Sequence, residues 1–172
     1  MNHQPLLIFC DTDTGVINAL KSHFSSVNDV NFNVGDLLES ASNVVISPAN
    51  SYGFMDGGID KSYYSYFGHG LQSKVLDVVR NRPEGHLPVG ASALIKTGHN
   101  KIPYMILAPT MVHPEMIPPY NIFRAFRAAL KCINAHKLSN PIYSPGFGTG
   151  VGGVDPDEAA KMMFEAYNSV YG

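Results

Sequence analysis

The stretch Asn43–Asp60, NVVISPANSYGFMDGGID, joins an apolar strand to a loop rich in turn-forming residues. Asn43–Ser47 is apolar throughout its centre, which is typical of a strand buried in the middle of a sheet. The residues that follow include a proline, an asparagine, two adjacent glycines and two aspartates, so they favour a loop with polar groups. The stretch therefore predicts a core strand that delivers a polar, glycine-containing loop to one edge of a sheet.

Strand and helix patterns alternate on both sides of this stretch. Val30–Val34 alternates apolar and polar residues as a strand does, and Ser92–Lys96 with Pro103–Ala108 is compatible with a hairpin. The predicted order is βαββααββαβα, in a single domain spanning residues 1–172. Such alternation predicts an α/β fold, a three-layer α/β/α sandwich with a central mixed, mostly parallel sheet. The predicted helices cover Gly15–Phe24, Ile59–Phe67, Leu71–Arg80, the amphipathic segment Ile122–Ile133, and the segment that follows Asp155.

The composition favours a soluble, cytoplasmic protein and argues against a nucleic-acid-binding, secreted or membrane-spanning one. Its 172 residues include 12 lysines and arginines against 14 aspartates and glutamates, so no basic surface for specific nucleic acid is expected. The apolar run near the N-terminus is too short for a signal peptide, and no run approaches the roughly 20 residues of a membrane span. Cys10 and Cys132 are interpreted as buried thiols, and the histidines lack a spacing typical of metal ligands. No metal and no cofactor are expected.

Two glycine-containing loops follow predicted strands, Pro48–Gly58 and Gly146–Gly153. In open α/β sheets, ligands bind outside the carboxyl ends of the strands. The second loop matches the pattern GxGxxG from Gly148 to Gly153, but no strand with an acidic end follows it, as a dinucleotide site requires. The backbone N–H groups of such a loop, next to a helix N-terminus, favour phosphate binding over the alternative of a flexible connection.

The first strand continues into Asp11-Thr12-Asp13-Thr14, which resembles the nucleophile motif of haloacid-dehalogenase-type phosphatases. A magnesium-dependent phosphatase using Asp11 and Asp13 is therefore one hypothesis. It would need paired acidic residues at the end of a later strand, and none of the later predicted strands ends in such a pair. The favoured interpretation is that the two aspartates form a turn and cap the following helix.

Four short motifs occur in order along the chain: Asn33–Leu37 (NVGDL), Val45–Asn50 (VISPAN), Asp56–Asp60 (DGGID) and Gly148–Gly152 (GTGVG). They resemble, in turn, the GDI element, the VNAAN strand end, the GGGVD loop and the second phosphate loop of the macro domain, an α/β module that binds ADP-ribose. The order and spacing agree over nearly the whole chain, from about Val30 onward.

This resemblance implies a ligand and a place for each part of it. Asp36 would accept a hydrogen bond from the adenine amino group, and Leu37 would offer a backbone N–H to the ring. The two glycine loops would hold the diphosphate, and Asn50 would hydrogen-bond the distal ribose. An aromatic residue that stacks on adenine is expected at Tyr167 or Tyr171. The implied ligand-binding residues are Asp36, Leu37, Ser47, Asn50, Gly57, Gly58, Ile59, Gly148, Thr149, Gly150, Val151 and Gly152.

Several positions depart from the pattern of hydrolytic macro domains. Ser47 stands where the family often has asparagine, and Asp56 replaces the first glycine of a triplet. Gly152 stands where many members carry an aromatic residue. Asp60 matches the aspartate that activates water in some members, but Tyr64 stands where those members have histidine. These departures weaken the case for hydrolysis more than the case for binding. The implied catalytic residues are Asn50 and Asp60.

Several functions follow from these observations. The leading hypothesis is binding of ADP-ribose or a derivative, with an ADP-ribosylated protein as a further partner. A second hypothesis adds hydrolysis at the distal ribose, either as an ADP-ribose 1″-phosphate phosphatase or by release of an ADP-ribosyl or acetyl group. A reader module would bind the same ligand without catalysis. Two hypotheses of a different class are the magnesium-dependent phosphatase and an interaction module whose contact surface is the proline-rich segment Met111–Tyr120.

Overall fold

The computed structural model describes residues 3–172, in which strands and helices alternate around one sheet. No helix in that range combines the length and the hydropathy needed to span a bilayer. The strands are β1 (Leu7–Asp11), β2 (Val30–Val34), β3 (Val44–Ser47), β4 (Ala93–Lys96), β5 (Tyr104–Leu107) and β6 (Ile142–Ser144). The helices are α1 (Thr14–His23), α2 (Leu37–Ser40), α3 (Gly58–Phe67), α4 (His69–Arg80), α5 (Tyr120–Ala135) and α6 (Pro156–Tyr171).

The strands form one sheet in the order β2-β1-β6-β3-β5-β4. All neighbouring pairs are parallel except β4 and β5, which form an antiparallel pair at one edge. In the centre of the sheet, Val44 of β3 pairs with Ile142 of β6 on one side and with Tyr104 of β5 on the other. The last strand in the sequence therefore lies in the interior of the sheet, between β1 and β3.

Helices cover both faces of the sheet, and each face has its own apolar core. On one face, α1, α5 and α6 contribute to the cluster around Phe9 of β1. On the other face, α3 and α4 contribute to the cluster around Tyr63. Strand β3 supplies both clusters, with Val44 and Ile46 on one face and Val45 on the other. This two-sided burial explains why the centre of β3 is continuously apolar in the sequence.

The structure confirms the predicted α/β class and the mixed, mostly parallel sheet. Strands β4 and β5 form the expected hairpin. Asp13 caps α1 by accepting hydrogen bonds from the N–H groups of Gly15 and Val16, and Asp155 caps α6 in the same way. One element was missed, the short helix α2, which is capped by Asp36. A single turn of helix is too short to show a helical period in the sequence.

The carboxyl ends of the parallel strands meet at one edge of the sheet, and the loops that leave this edge carry the predicted site residues. Strand β2 leads to Asp36, and β3 leads to the loop of residues 48–57. Strand β6 leads to the loop of residues 145–155. Because β6 lies between β1 and β3, the loop after β6 stands beside the loop after β3, although the two are distant in the sequence.

Candidate functional site

A cavity of about 790 Å³ opens at this edge of the sheet, between the loops that follow β3 and β6. Its volume lies within the range of about 300–1,000 Å³ that is usual for small-molecule sites. Residues that follow β1, β2 and β5 complete its walls. The arrangement agrees with the general rule that ligands of open α/β sheets bind outside the carboxyl ends of the strands.

The cavity brings together all but one of the site residues expected from the sequence. The exception is Ser47, which is fully buried at the end of β3 and donates its hydroxyl to Asp60, so it acts on the cavity through that carboxyl group. The expectation that Tyr167 or Tyr171 stacks on a ligand is wrong. Tyr167 is buried in the core and Tyr171 donates to Asn134 at 2.8 Å, away from the cavity. The expected residues that line the cavity are Asp36, Leu37, Asn50, Gly57, Gly58, Ile59, Asp60, Gly148, Thr149, Gly150, Val151 and Gly152.

Asp36 lies at the end of the cavity nearest β2, where it is the N-cap of α2. Its Oδ1 accepts a hydrogen bond from the N–H of Leu38 at 2.9 Å, while its Oδ2 makes no hydrogen bond within the described part of the chain. Leu37 begins α2, so its N–H has no acceptor inside the helix. An exposed carboxylate oxygen beside a free N–H matches the edge of a heteroaromatic ring that carries an amino group next to a ring nitrogen.

Two sets of backbone N–H groups border the middle of the cavity. Gly57, Gly58 and Ile59 stand at the N-terminus of α3, whose first N–H groups have no intrahelical acceptor. On the other side, the N–H groups of residues 149–152 make no hydrogen bond to any residue in the range 3–172. The positive end of a helix dipole and a run of free N–H groups both favour an anion.

Gly152 is required by the way the loop after β6 folds back on itself. The N–H of Val154 donates to the carbonyl oxygen of Gly148 at 3.0 Å. A Cβ atom at Gly152 would lie 2.7 Å from that oxygen and 3.0 Å from the side chain of Ile117. Gly148 itself has a φ angle of +73°, in the left-handed region that favours glycine. The absence of an aromatic residue at Gly152 therefore follows from the packing of this loop.

The side chain of Asn50 holds the loop after β3 in shape. Its Oδ1 accepts hydrogen bonds from the N–H groups of Tyr52 at 3.1 Å and Phe54 at 3.2 Å. Its Nδ2 donates to the carbonyl oxygen of Phe54 at 2.8 Å. Asn50 is buried but lines the cavity, and the second N–H of its amide has no acceptor among residues 3–172. Asn50 thus has a loop-forming role that the sequence did not reveal.

Asp60 is a carboxyl group buried in the wall of the cavity, with only 7% of its surface exposed. It stands in the first turn of α3, and its Oδ1 accepts the hydrogen bond from Ser47. Burial raises the pKa of Asp60 from 3.8 to about 6; the Ser47 hydrogen bond acts in the opposite direction, and the charge of Asp56 adds a smaller increase. A carboxyl group with a pKa near 6 can exchange a proton close to neutral pH.

The raised pKa of Asp60 predicts a pH-dependent cost in stability. Because the pKa is higher in the folded chain than in the unfolded one, the folded state binds more protons between 3.8 and about 6. The stabilising effect of the neutral form is complete below the unfolded value and is lost as the pH rises through about 6. We expect the free energy of unfolding of Asp60→Asn to exceed that of the wild type by about 3 kcal/mol at pH 8 and to match it near pH 3.

Denaturant unfolding at both pH values measures this difference. Asp77→Asn, on the exposed surface of α4, is the matched control and should change the free energy of unfolding by less than about 0.5 kcal/mol at either pH. An Asp60→Asn variant that is less stable than the wild type at pH 8 would contradict the raised pKa.

The two aspartates of the phosphatase hypothesis are engaged with the backbone. Asp13 caps α1, as the favoured interpretation predicted. Asp11 accepts a hydrogen bond from the N–H of Asp13 at 3.0 Å and, through its other oxygen, from the N–H of Gly146 at 3.0 Å. Asp11 therefore ties the end of β1 to the loop after β6, and both carboxylates accept hydrogen bonds from the backbone.

Several parts of the wall were not expected from the sequence, among them Cys10, Phe54 and Thr110. Phe54 is 52% exposed and lies in the loop after β3. Its position in the sequence between Asn50 and Asp56, both of which line the cavity, could have predicted its place in the wall. Thr110 follows β5 within a proline-rich stretch that indicated only irregular structure. The signal available there was a polar residue close after the carboxyl end of a strand.

Comparison with known proteins agrees with this geometry. The profile of the family described as Macro domain matches residues 46–163. An uncharacterized protein of Aquifex aeolicus (strain VF5) is 32% identical over 138 residues, which are 80% of this chain and 79% of that protein. The Oceanobacillus iheyensis macrodomain with ADP has a TM-score of 0.66 at 25% identity, over 77% of this chain and 71% of that one. Thermosipho africanus DarTG in complex with ADP-ribose has a TM-score of 0.65 at 16% identity, over 93% of this chain and 50% of that one.

The sheet order, the two-sided core and the cavity at the carboxyl edge define an α/β module with a cavity beside its parallel strands. The chain belongs to the macro domain family. The resemblance carried by its four sequence motifs is thereby confirmed.

Proposed function

We propose that this protein binds ADP-ribose or a derivative in the cavity between its two glycine loops. The observation that carries the proposal is the order of groups along one continuous cavity. A carboxylate with a free oxygen stands at one end, free N–H groups stand in the middle, and buried polar side chains stand at the other end. This order matches a purine with an amino group, a diphosphate and a sugar.

Each part of the ligand has partners of suitable chemistry. Asp36 accepts from the adenine amino group and the N–H of Leu37 donates to the ring. The N-terminus of α3 and the N–H groups of residues 149–152 bind the diphosphate oxygens with charge-assisted hydrogen bonds. The free N–H of Asn50 donates to a hydroxyl of the distal ribose. Support also comes from the Oceanobacillus iheyensis macrodomain with ADP and from Thermosipho africanus DarTG in complex with ADP-ribose.

Isothermal titration calorimetry with ADP-ribose tests this function directly. We expect saturable heat with one ligand per chain, and a higher midpoint of thermal unfolding in the presence of the ligand because only the folded state binds it. Ribose 5-phosphate, which lacks the adenosine and one of the two phosphates, is the control and should bind much more weakly. A folded circular dichroism spectrum without heat at high micromolar protein would refute the proposal.

Replacing Asp36 with alanine is expected to weaken ADP-ribose binding by about 1–3 kcal/mol, the cost of losing a hydrogen bond to a charged group. Since Asp36 also caps α2, this variant should lose about 1 kcal/mol of folding stability as well. Asp36→Ser separates the two effects because serine keeps a capping oxygen but has no carboxylate. It should retain most of the stability and still lose affinity, as measured by denaturant unfolding and calorimetry. Wild-type affinity in Asp36→Ser would show that adenine does not contact this residue.

We also propose, as a second function of the same site, hydrolysis of a bond at the distal ribose. The observation in favour is Asp60, a buried carboxyl group in the cavity wall with a pKa of about 6. As general base it accepts a proton from water while the water oxygen bonds to the reacting centre and the group on the ribose leaves. With ADP-ribose 1″-phosphate the products are ADP-ribose and phosphate; with an ADP-ribosylated protein they are ADP-ribose and the free protein. A reader module would bind these compounds and release them unchanged.

A further inference from the structure

The side chains that line the cavity carry negative charge and, within the range 3–172, no positive charge. Four carboxylates line it, those of Asp11, Asp36, Asp56 and Asp60. No lysine, arginine or histidine in that range does so, and Lys61 lies in a neighbouring depression beside Gly58. Proteins commonly bind phosphate groups with arginine or lysine side chains. This cavity therefore has an unusual charge balance for a phosphate-containing ligand.

The four carboxylates form two pairs at different ends of the cavity. Asp11 ends β1 and Asp36 follows β2, whereas Asp56 and Asp60 come after β3. Strands β2 and β3 are three positions apart in the sheet order. At about 4.8 Å per strand, this separation is roughly 14 Å. One pair therefore lies at the end proposed for the purine, and the other lies toward the end proposed for the distal ribose.

Asp56 and Asp60 share the ribose end of the cavity with Asn50. The amide of Asn50 bonds to both the N–H and the carbonyl oxygen of Phe54, two residues before Asp56. Asp60 accepts a hydrogen bond from Ser47 at the end of β3. Burial is the main reason that the pKa of Asp60 is raised, and the charge of Asp56 adds to it. The two carboxylates are thus close enough to act on each other and on the same part of a ligand.

The carboxylate of Asp56 has no partner in the described part of the chain. Asp56 is exposed at the cavity wall, and it accepts no hydrogen bond and forms no ion pair with any residue in the range 3–172. The N-cap of α3 is the next residue, Gly57, and no side chain caps this helix. A charge that no protein group offsets acts on whatever occupies the cavity.

We propose that Asp56, together with Asp60, selects ligands by the charge of the group that the distal ribose carries. An uncharged or cationic group is accepted, and a phosphate is rejected. A phosphate monoester carries about −1.5 to −2 charges at pH 7, and like charges repel more strongly in a partly desolvated site than in water. The inference rests on the proposed binding function and narrows its ligand class to ADP-ribose with a neutral or basic substituent, against ADP-ribose 1″-phosphate.

The same cavity can bind a diphosphate and reject a phosphate on the distal ribose because the two anions meet different groups. The middle of the cavity offers the N-terminus of α3 and the free N–H groups of residues 149–152. Both favour an anion. At the ribose end, the polar side chains near Asn50 are the carboxylates of Asp56 and Asp60. A second anion there meets two negative charges and few donors.

Competition binding of ADP-ribose and ADP-ribose 1″-phosphate, at pH 7.5 and low salt without divalent cations, tests the inference. The wild type should bind ADP-ribose 1″-phosphate about 30-fold more weakly than ADP-ribose, and added salt should reduce this ratio. Asp56→Asn should reduce the ratio to about fivefold, because it removes one of the two charges and keeps the shape. Asp77→Asn, on the exposed surface of α4, is the matched control and should keep the wild-type ratio. Phosphate release in the same samples shows whether the ligand stays intact.

Two outcomes would overturn the inference. Wild-type protein that binds both compounds equally well, or the 1″-phosphate more tightly, would show that no charge selection occurs. A ratio that is the same in Asp56→Asn and in the wild type would show that Asp56 does not cause the rejection. Failure of the wild type to bind ADP-ribose is a separate result, which removes the proposed function and the inference together.

Discussion

Replacing Asp60 with asparagine is expected to lower the turnover of a distal-ribose substrate by about 10²- to 10⁴-fold while ADP-ribose still binds. Asparagine has the shape of aspartate and can still accept the hydrogen bond from Ser47, but it cannot take a proton from water. The measurement is release of phosphate from ADP-ribose 1″-phosphate, or of ADP-ribose from an ADP-ribosylated protein. Calorimetry of the same variant supplies the control, since affinity should stay within a few-fold of wild type.

The pH dependence of turnover provides a second test of the same role. A general base must be ionised to act, so the rate should rise about tenfold per pH unit below pH 6 and level off above it. Ser47→Ala removes the hydrogen bond that lowers the pKa of Asp60 and should move the midpoint to higher pH. Asp56→Asn removes a nearby charge that raises this pKa and should move the midpoint to lower pH. Equal turnover by the wild type and Asp60→Asn would show that Asp60 is not the general base.

Replacing Gly152 with alanine is expected to weaken ADP-ribose binding by about 100-fold. The added Cβ would lie 2.7 Å from the carbonyl oxygen of Gly148, a backbone atom that cannot move without opening the loop. Opening the loop displaces the N–H groups of residues 149–152, and losing one or two hydrogen bonds to the charged diphosphate accounts for a factor of this size. The overpacked loop should also lower the free energy of unfolding by about 1–3 kcal/mol.

Gly70→Ala is the matched control for this substitution. A Cβ at Gly70 meets no atom within 4 Å, and the residue lies in α4 outside the cavity. It should leave ADP-ribose affinity unchanged and keep or slightly raise the stability, because alanine favours a helix over glycine. Wild-type affinity in a folded Gly152→Ala variant would mean that the loop after β6 does not hold the diphosphate.

The sequence was sufficient for the fold because each core element has a distinct pattern. Val44–Ile46 is apolar at every position since helices cover both faces of the sheet there. The two glycine loops were also predictable as one site, because each follows a parallel strand and the carboxyl ends of such strands share an edge. The position of β6 between β1 and β3 could not be deduced from local patterns, since it depends on pairing between distant segments.

The details of the site depend on side-chain contacts that no local pattern encodes. Ser47 was expected to contact the ligand, but it lies behind Asp60, because alternate residues of a buried strand point to opposite faces. Tyr167 or Tyr171 was expected to stack on adenine, but Tyr167 packs in the core beside Phe24 and Tyr171 donates to Asn134.

Strand β6 comes late in the sequence but lies in the interior of the sheet, so the cavity forms only after β6 has paired with β1 and β3. During synthesis, the loop after β3 emerges long before the loop after β6, and the central gap between β1 and β3 stays open until Ile142–Ser144 is added. No segment made earlier contains both loops that border the middle of the cavity, so the proposed diphosphate site would be complete only when the sheet is closed. Occupancy by the ligand then stabilises β1, β3 and β6 together, by an amount that grows with the logarithm of ligand concentration. If the proposed function holds, binding of ADP-ribose therefore requires a completed sheet.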